Sequence, residues 1–205
     1  MKKTLAVLVA VLSAPAFASS YVTGNLQSHS DFEPSVTSTI EAGHTFDIGT
    51  TVYAEIDGIN LSSDPAANPF ITVGIEQSYD VYNATWLTLG YQHVIYEGDS
   101  LEYRPYARIT HSIDDLGLTL SHRTRVQIPE DSDLDTEFRL DTSASYTFNE
   151  DVSVSYNNIY LTEASYFEHE LRATWTRNGV QPYVEYRNQG DNENNAFVVG
   201  ATLVF

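Results

Sequence analysis

Residues 134–148 read LDTEFRLDTSASYTF. Leu134, Phe138, Leu140, Ala144, Tyr146 and Phe148 fall on one parity; Asp135, Glu137, Arg139, Asp141 and Ser143 fall on the other. Successive side chains of a strand point to opposite faces, so this stretch has one apolar face and one charged face. Its neighbours repeat the pattern. In 117–128, Leu118, Leu120, Val126 and Ile128 alternate with Thr119, Ser121, Arg123, Arg125 and Gln127. In 167–176, Phe167, Leu171, Ala173 and Trp175 alternate with Glu168, Glu170, Arg172 and Thr174. Similar segments lie near 20–28, 34–43, 49–58, 69–79, 84–96, 101–112, 151–161, 181–188 and 194–205. Twelve segments result, each near the ~10 residues that a tilted membrane strand needs.

The connections alternate in length. Short turns fall near 44–48, 80–83, 113–116, 149–150 and at Asn178-Gly179, a type I′ hairpin signal. Longer polar loops fall near 29–33, 59–68, 97–100, 129–133, 162–166 and 189–193. From a periplasmic N-terminus, every short turn is periplasmic and every long loop extracellular. The expected fold is therefore all-β, a 12-stranded antiparallel transmembrane β-barrel with short periplasmic turns and longer extracellular loops. The last strand supports this: Phe197, Val199, Ala201, Leu203 and the terminal Phe205 share one face. Aromatic girdles are expected from Trp86, Tyr146, Phe148, Trp175 and Phe205 at the periplasmic ends, and from Tyr103, Phe167, Tyr186 and Phe197 at the outer ends.

Residues 1–18 read as a secretory signal peptide, leaving 19–205 as the barrel. Lys2 and Lys3 precede an apolar run from Leu5 to Leu12, and Ala16-Phe17-Ala18 forms the cleavage motif. The segment carries both lysines and no acid, so 8 Arg face 28 Asp+Glu in the remainder. Such a chain lacks the positive charge that nucleic-acid binding requires. It has no Cys, which excludes disulfides and thiolate chemistry. The expected place is the Gram-negative outer membrane.

With the apolar parity assigned to lipid, Arg104, Arg108, Arg123, Arg125, Arg139, Arg172 and Arg187 face the lumen. A lipid-facing Arg costs ~2–4 kcal/mol at the midplane, so any barrel hides its arginines. Their clustering between the sixth and eleventh segments says more. Closing the turn at 113–116 sets Arg108 opposite Arg123 and Tyr106 opposite Arg125. Closing the loop at 129–133 sets Arg123 opposite Arg139, giving a row of Arg108, Arg123 and Arg139. Like charges in a row persist when solvated, when acids intervene, or when an anion occupies them. The hairpin at 177–180 sets Arg172 opposite Glu185 and Arg187 opposite Glu170, which reads as wall-holding ion pairs. Arg104, Arg108, Arg123 and Arg125 are expected to have fewer acids near them, mainly Glu102 and Glu137. Glu41, Glu55 and Glu76 are expected on a facing acidic wall, giving a transverse field.

At this point the chain resembles the KdgM family of oligogalacturonate-specific outer-membrane porins. The residues that carry the likeness are Tyr103-Arg104-Pro105-Tyr106-Ala107-Arg108 with Ile109-Thr110, Leu171-Arg172-Ala173-Thr174-Trp175, Gln181-Pro182-Tyr183-Val184-Glu185-Tyr186 and the Phe205 end. The resemblance implies a pore lined by arginine that passes acidic oligosaccharides, with Arg104, Arg108 and Arg172 in matching segments. The chain departs from that family in its lack of Lys beyond the signal and in its acidic patch, and pectin and alginate fragments both remain open as solutes.

The reading that follows is passive diffusion of small acidic oligosaccharides, with Arg104, Tyr106, Arg108, Arg123, Arg125, Arg139, Arg172 and Arg187 lining the path. It needs no catalytic residue, cofactor or metal. Its partners are the solute, outer-membrane lipid and lipopolysaccharide, and a monomer is favoured. Two rivals are an adhesive barrel, which the acidic loop around Glu130, Asp131 and Asp133 would suit, and a lipase. The Asp-Ser-Asp spacing at 131–133 lacks the rest of a calcium loop. A lipase needs Ser and His on one face. His29-Ser30 and His111-Ser112 are adjacent and point oppositely, while His44, His93, His122 and His169 have no Ser two residues away.

Overall fold

The computed structural model describes residues 19–30, 35–62, 68–149, 151–176, 179–191 and 193–205. The expected signal segment and Asn178 lie outside them. Twelve strands follow in order: β1 (Ser20–His29), β2 (Val36–Thr45), β3 (Thr50–Asn60), β4 (Phe70–Tyr82), β5 (Thr85–Tyr96), β6 (Asp99–Ile113), β7 (Leu118–Pro129), β8 (Glu137–Asn149), β9 (Val152–Leu161), β10 (Tyr166–Trp175), β11 (Val180–Gln189) and β12 (Asn194–Val204). Each pairs antiparallel with its sequence neighbours, and β1 pairs with β12 to close the barrel. At the seam, the Ser20 amide donates to the Phe205 carbonyl at 2.8 Å and the Phe205 amide to Ser20 at 3.0 Å. Closure leaves no unpaired strand edge for a bilayer to solvate, which is why sheets cross membranes only as barrels.

The alternation sorts the side chains as the sequence predicts. Leu26, Ile75, Leu89, Ile109, Phe138, Leu171, Val184 and Val199 are exposed on the outer wall. Phe148, Trp175 and Phe205 project there at the periplasmic ends, Phe167, Tyr186 and Phe197 at the outer ends. Trp86 departs from the expectation. It shares parity with Thr88, Gly90 and Gln92 and pairs with Thr110, so it stands on the lumenal face at the periplasmic mouth.

One outer connection is shorter than expected. β6 begins at Asp99, so the supposed loop at 97–100 is a tight turn through Glu97 (φ 55°) and Gly98 (φ 99°). Two positive φ values match the twist of an antiparallel pair.

Inside, four tyrosines are clasped over glycines directly across a ladder: Tyr21 over Gly43, Tyr53 over Gly74, Tyr106 over Gly90 and Tyr183 over Gly200. A Cβ on any of these glycines would collide with the ring, so only Gly leaves room. The aromatic surface in turn covers the bare backbone. The hydroxyls are tied as well. Tyr21 donates to Glu41 at 2.7 Å and Tyr106 to Glu76 at 2.6 Å; Gln92 donates to Tyr53 at 2.8 Å and Asn25 to Tyr183 at 3.3 Å. These clasps fix the rings against which the charged side chains lie.

Candidate functional site: the arginine wall of the lumen

All seven arginines named from the sequence stand on lumenal positions, and Tyr106 lies among them. Arg108 pairs across β6–β7 with Arg123, and Tyr106 with Arg125, as the tight turn predicts. Across β7–β8 the register differs from expectation by two residues. Arg123 pairs with Asp141, and Arg125 with Arg139. The proposed row of Arg108, Arg123 and Arg139 is therefore not formed. The reason is the connecting loop: β8 starts at Glu137, so the link runs through 130–136. A two-residue slip keeps every side chain on its own face, so the hydrophobic pattern cannot detect it.

The slip changes the electrostatics. Asp141 sits between two guanidiniums, accepting from Arg123 Nε at 3.0 Å and Arg139 Nε at 2.9 Å. Arg104 Nε bonds Glu102 at 2.5 Å, and Gln127 donates to the same carboxylate at 3.0 Å. Arg108 Nη2 reaches over β5 to Glu76 at 3.0 and 3.2 Å. Arg108 and Arg123 thus have carboxylate partners that the sequence reading did not assign. Glu137 is occupied elsewhere: it accepts from the Thr162 hydroxyl and from the amides of Glu163 and Ala164.

Arg125 is the exception. It is 6% exposed, donates through Nη1 to Gln92 Oε1 at 3.1 Å, and its Nε finds no acceptor among the described residues. Among the described residues no carboxylate pairs with it, and Arg139 stands opposite. Five guanidiniums on β6–β8 therefore share Glu76, Glu102 and Asp141, leaving this wall with surplus positive charge. Tyr106 supports it from below, with the Arg123 guanidinium 5.7 Å from its ring centroid.

The β10–β11 hairpin is balanced. Glu185, almost fully buried, accepts from both Arg172 and Arg187, and Arg187 also lies 4.0 Å from Glu170. Arg172 rests 4.2 Å over the Tyr183 ring, and Asn157 donates to Glu170 at 3.0 Å. Between the two basic regions lies a lumenal cavity of about 310 Å³, lined in part by Arg108, Arg123, Asp141, Asn157, Glu170 and Arg172.

The acidic side is split. Glu41 and Glu55 are directly paired on β2–β3, with Arg172 in electrostatic range of Glu41 and Arg187 of Glu55. Glu76, in electrostatic range of Glu41, also joins the basic wall through Arg108. The acidic wall thus runs over Glu41, Glu55 and Glu76, with Glu76 shared between it and the basic wall.

Two Ser–His pairs occur among the described residues that sequence spacing did not reveal: Ser20 Oγ lies 2.8 Å from His44 Nδ1, and Ser100 Oγ lies 3.0 Å from His93 Nε2. Ser20 and His44 are buried at the periplasmic rim, at 8% and 1% exposure, whereas Ser100 and His93 are only half-buried at the outer end of β5–β6.

The barrel superimposes on a KdgM porin in complex with disordered oligogalacturonate, at TM-score 0.74 and 17% identity, over 90% of this chain and 99% of that one. The fold is that of the KdgM-like porins. A NanC porin matches with TM-score 0.74 at 13% identity, over 89% of this chain and 98% of the other. Outer membrane phospholipase A from Escherichia coli matches with TM-score 0.62 at 13% identity, over 96% of both chains. No protein-family model matches the chain, and no curated protein matches it. The architecture is that of a Gram-negative outer-membrane barrel of the porin type.

Proposed function

We propose that the protein, once residues 1–18 are removed, is a passive outer-membrane porin for small acidic oligosaccharides such as oligogalacturonate or related oligouronates. The carrying observation is the charge surplus on β6–β8, where Arg125 has no carboxylate and faces Arg139. A guanidinium field around a wet cavity attracts carboxylates, and guanidinium forks accept them two oxygens at a time. Arg108 and Arg172 are the most open of the ion-paired guanidiniums, at 31% and 36% side-chain exposure, and both line the cavity. They meet the solute first, while Arg104, Arg123, Arg125, Arg139 and Arg187 supply the field and Tyr106 the surface beneath it. Internal carboxylates compete for the same guanidiniums, so a solute is held weakly and released, as facilitated passage requires. Oligogalacturonate in the KdgM porin structure supports an acidic sugar as solute. Outer-membrane lipid and lipopolysaccharide surround the wall.

Planar-bilayer recording tests the reading. An open channel is expected whose current oligogalacturonate blocks and a neutral oligosaccharide of equal length does not. Arg108→Ala with Arg123→Ala weakens the block about tenfold, the equivalent of one charge-assisted hydrogen bond. An unchanged block makes the cluster structural, a non-conducting barrel moves the assignment to adhesion, and lipid hydrolysis in detergent moves it to an enzyme.

A further inference from the structure

The outer wall carries a polar row where lipid should see only hydrocarbon. His122, Thr142, Asn158, His169, Asn188 and Asn195 are directly paired in succession across β7, β8, β9, β10, β11 and β12. All share the outward parity. The row crosses β7–β10 inside the strand ends, and its nearest neighbours on the outward face are Leu120 and Thr124 on β7, Ala144 and Leu140 on β8, and Leu171 and Phe167 on β10.

Its members are hydrogen-bonded to one another, but not fully. His122 Nδ1 lies 2.9 Å from the Thr142 hydroxyl. His169 Nδ1 receives the Asn158 amide at 3.2 Å and lies 2.8 Å from the Tyr156 hydroxyl. Since Nδ1 accepts from the amide, the proton of the neutral ring sits on Nε2, which points outward. Among the described residues nothing engages that Nε2 or the Asn158 Oδ1. The wall thus presents one donor and one acceptor side by side at membrane depth. Exchanging the amide oxygen and nitrogen of Asn158 reverses both roles and keeps the pair complementary.

We propose that this face is the contact between two copies of the chain within the membrane. Acyl tails offer no hydrogen-bond partner, so the group that satisfies this donor and acceptor inside the apolar band is protein. All copies insert in the same sense, so a two-fold axis along the membrane normal brings each patch to its own equivalent at identical depth. There the His169 Nε2–H of each copy meets the Asn158 Oδ1 of the other. Any other protein would need a matching pair at that level. Beside the row, an outward groove of about 510 Å³ lined by Ile109, Leu120, Ala144 and Tyr156 gives the partner's side chains an apolar slot. The expectation of a monomer is replaced by that of a dimer, and what the lumen carries does not enter the argument.

The chain has no cysteine, so a single introduced one reports position cleanly. Treated with a short bis-maleimide in outer membranes, Ala144→Cys is expected to give a dimer and Ile40→Cys, on the far wall, none. In the Ala144→Cys background, Asn158→Leu with His169→Leu lowers the dimer yield roughly tenfold, and sedimentation in detergent shows the same shift to monomer. Single-channel conductance and block remain as they were, which separates this result from the lumenal reading. Should the double variant not insert, Asn158→Ala alone reads the same direction. Equal yields at both cysteines, no dimer, a cross-link to a different protein, or a dimer indifferent to the substitutions each overturns the proposal.

Discussion

The β10–β11 hairpin and the β7–β8 pair both point arginines into the lumen, with opposite outcomes. In the hairpin, Arg172 and Arg187 face Glu185 and Glu170 across one ladder, and charge balances within two strands. In β7–β8, Arg123 and Arg139 share a single carboxylate, Asp141, and Arg125 stands opposite Arg139. The first arrangement stiffens a wall. The second leaves a surplus of positive charge on the lumenal wall. What separates them is register: only residues 176–179 separate β10 from β11, whereas the longer link through 130–136 allows a two-residue offset that places arginine opposite arginine.

The largest test of this contrast is Glu185→Gln. It strands two guanidiniums at once, and unfolding in urea from lipid vesicles is expected to show a loss of about 2 kcal/mol. That is below the ~3–5 kcal/mol of a dry pair, since Arg172 is a third exposed and water screens it. A loss below about 0.5 kcal/mol would mean the hairpin is held by its ladder alone. Next is Asp141→Asn, which frees Arg123 and Arg139 together. Oligouronate block should strengthen several-fold and the reversal potential move toward anions, at a stability cost of about 1 kcal/mol. A weaker block would show that Asp141 orders the guanidiniums for the solute. Arg125→Gln sharpens the comparison from the other side. It removes surplus charge without orphaning a carboxylate, so block should fall about two- to three-fold with stability unchanged, a field effect in a wet lumen. The smallest effect belongs to Glu137→Gln. Its carboxylate holds the turn at 162–165, so proteolytic nicking there should quicken while channel properties stay the same.

Much of this was legible from alternation. The parity of Phe138 against Arg139, repeated strand by strand, predicts which face meets lipid, and tight hairpins such as β6–β7 predict their cross-strand pairs. Trp86 was legible too, because Thr88 and Gln92 share its parity; its aromatic character suggested a girdle that its register denies. The outward row was visible as polar residues at apolar positions, His122 and His169 among them, though their adjacency was not. Glu76 falls on the acidic wall as its parity predicts, but sequence gives no measure of how far Arg108 reaches over β5 to meet it. The Tyr–Gly clasps were hidden for the same reason: Tyr21 and Gly43 become neighbours only when the ladder sets them opposite each other.

The amino-acid order alone determined the number of strands, the side each residue faces and the sign of its charge, because a pleated strand alternates with period two whatever surrounds it. Only the closed barrel decided which guanidinium meets which carboxylate. Shifts by an even number of residues leave that alternation intact, and the choice among them rests on loop span, ring-on-glycine contact and charge pairing between strands distant in sequence.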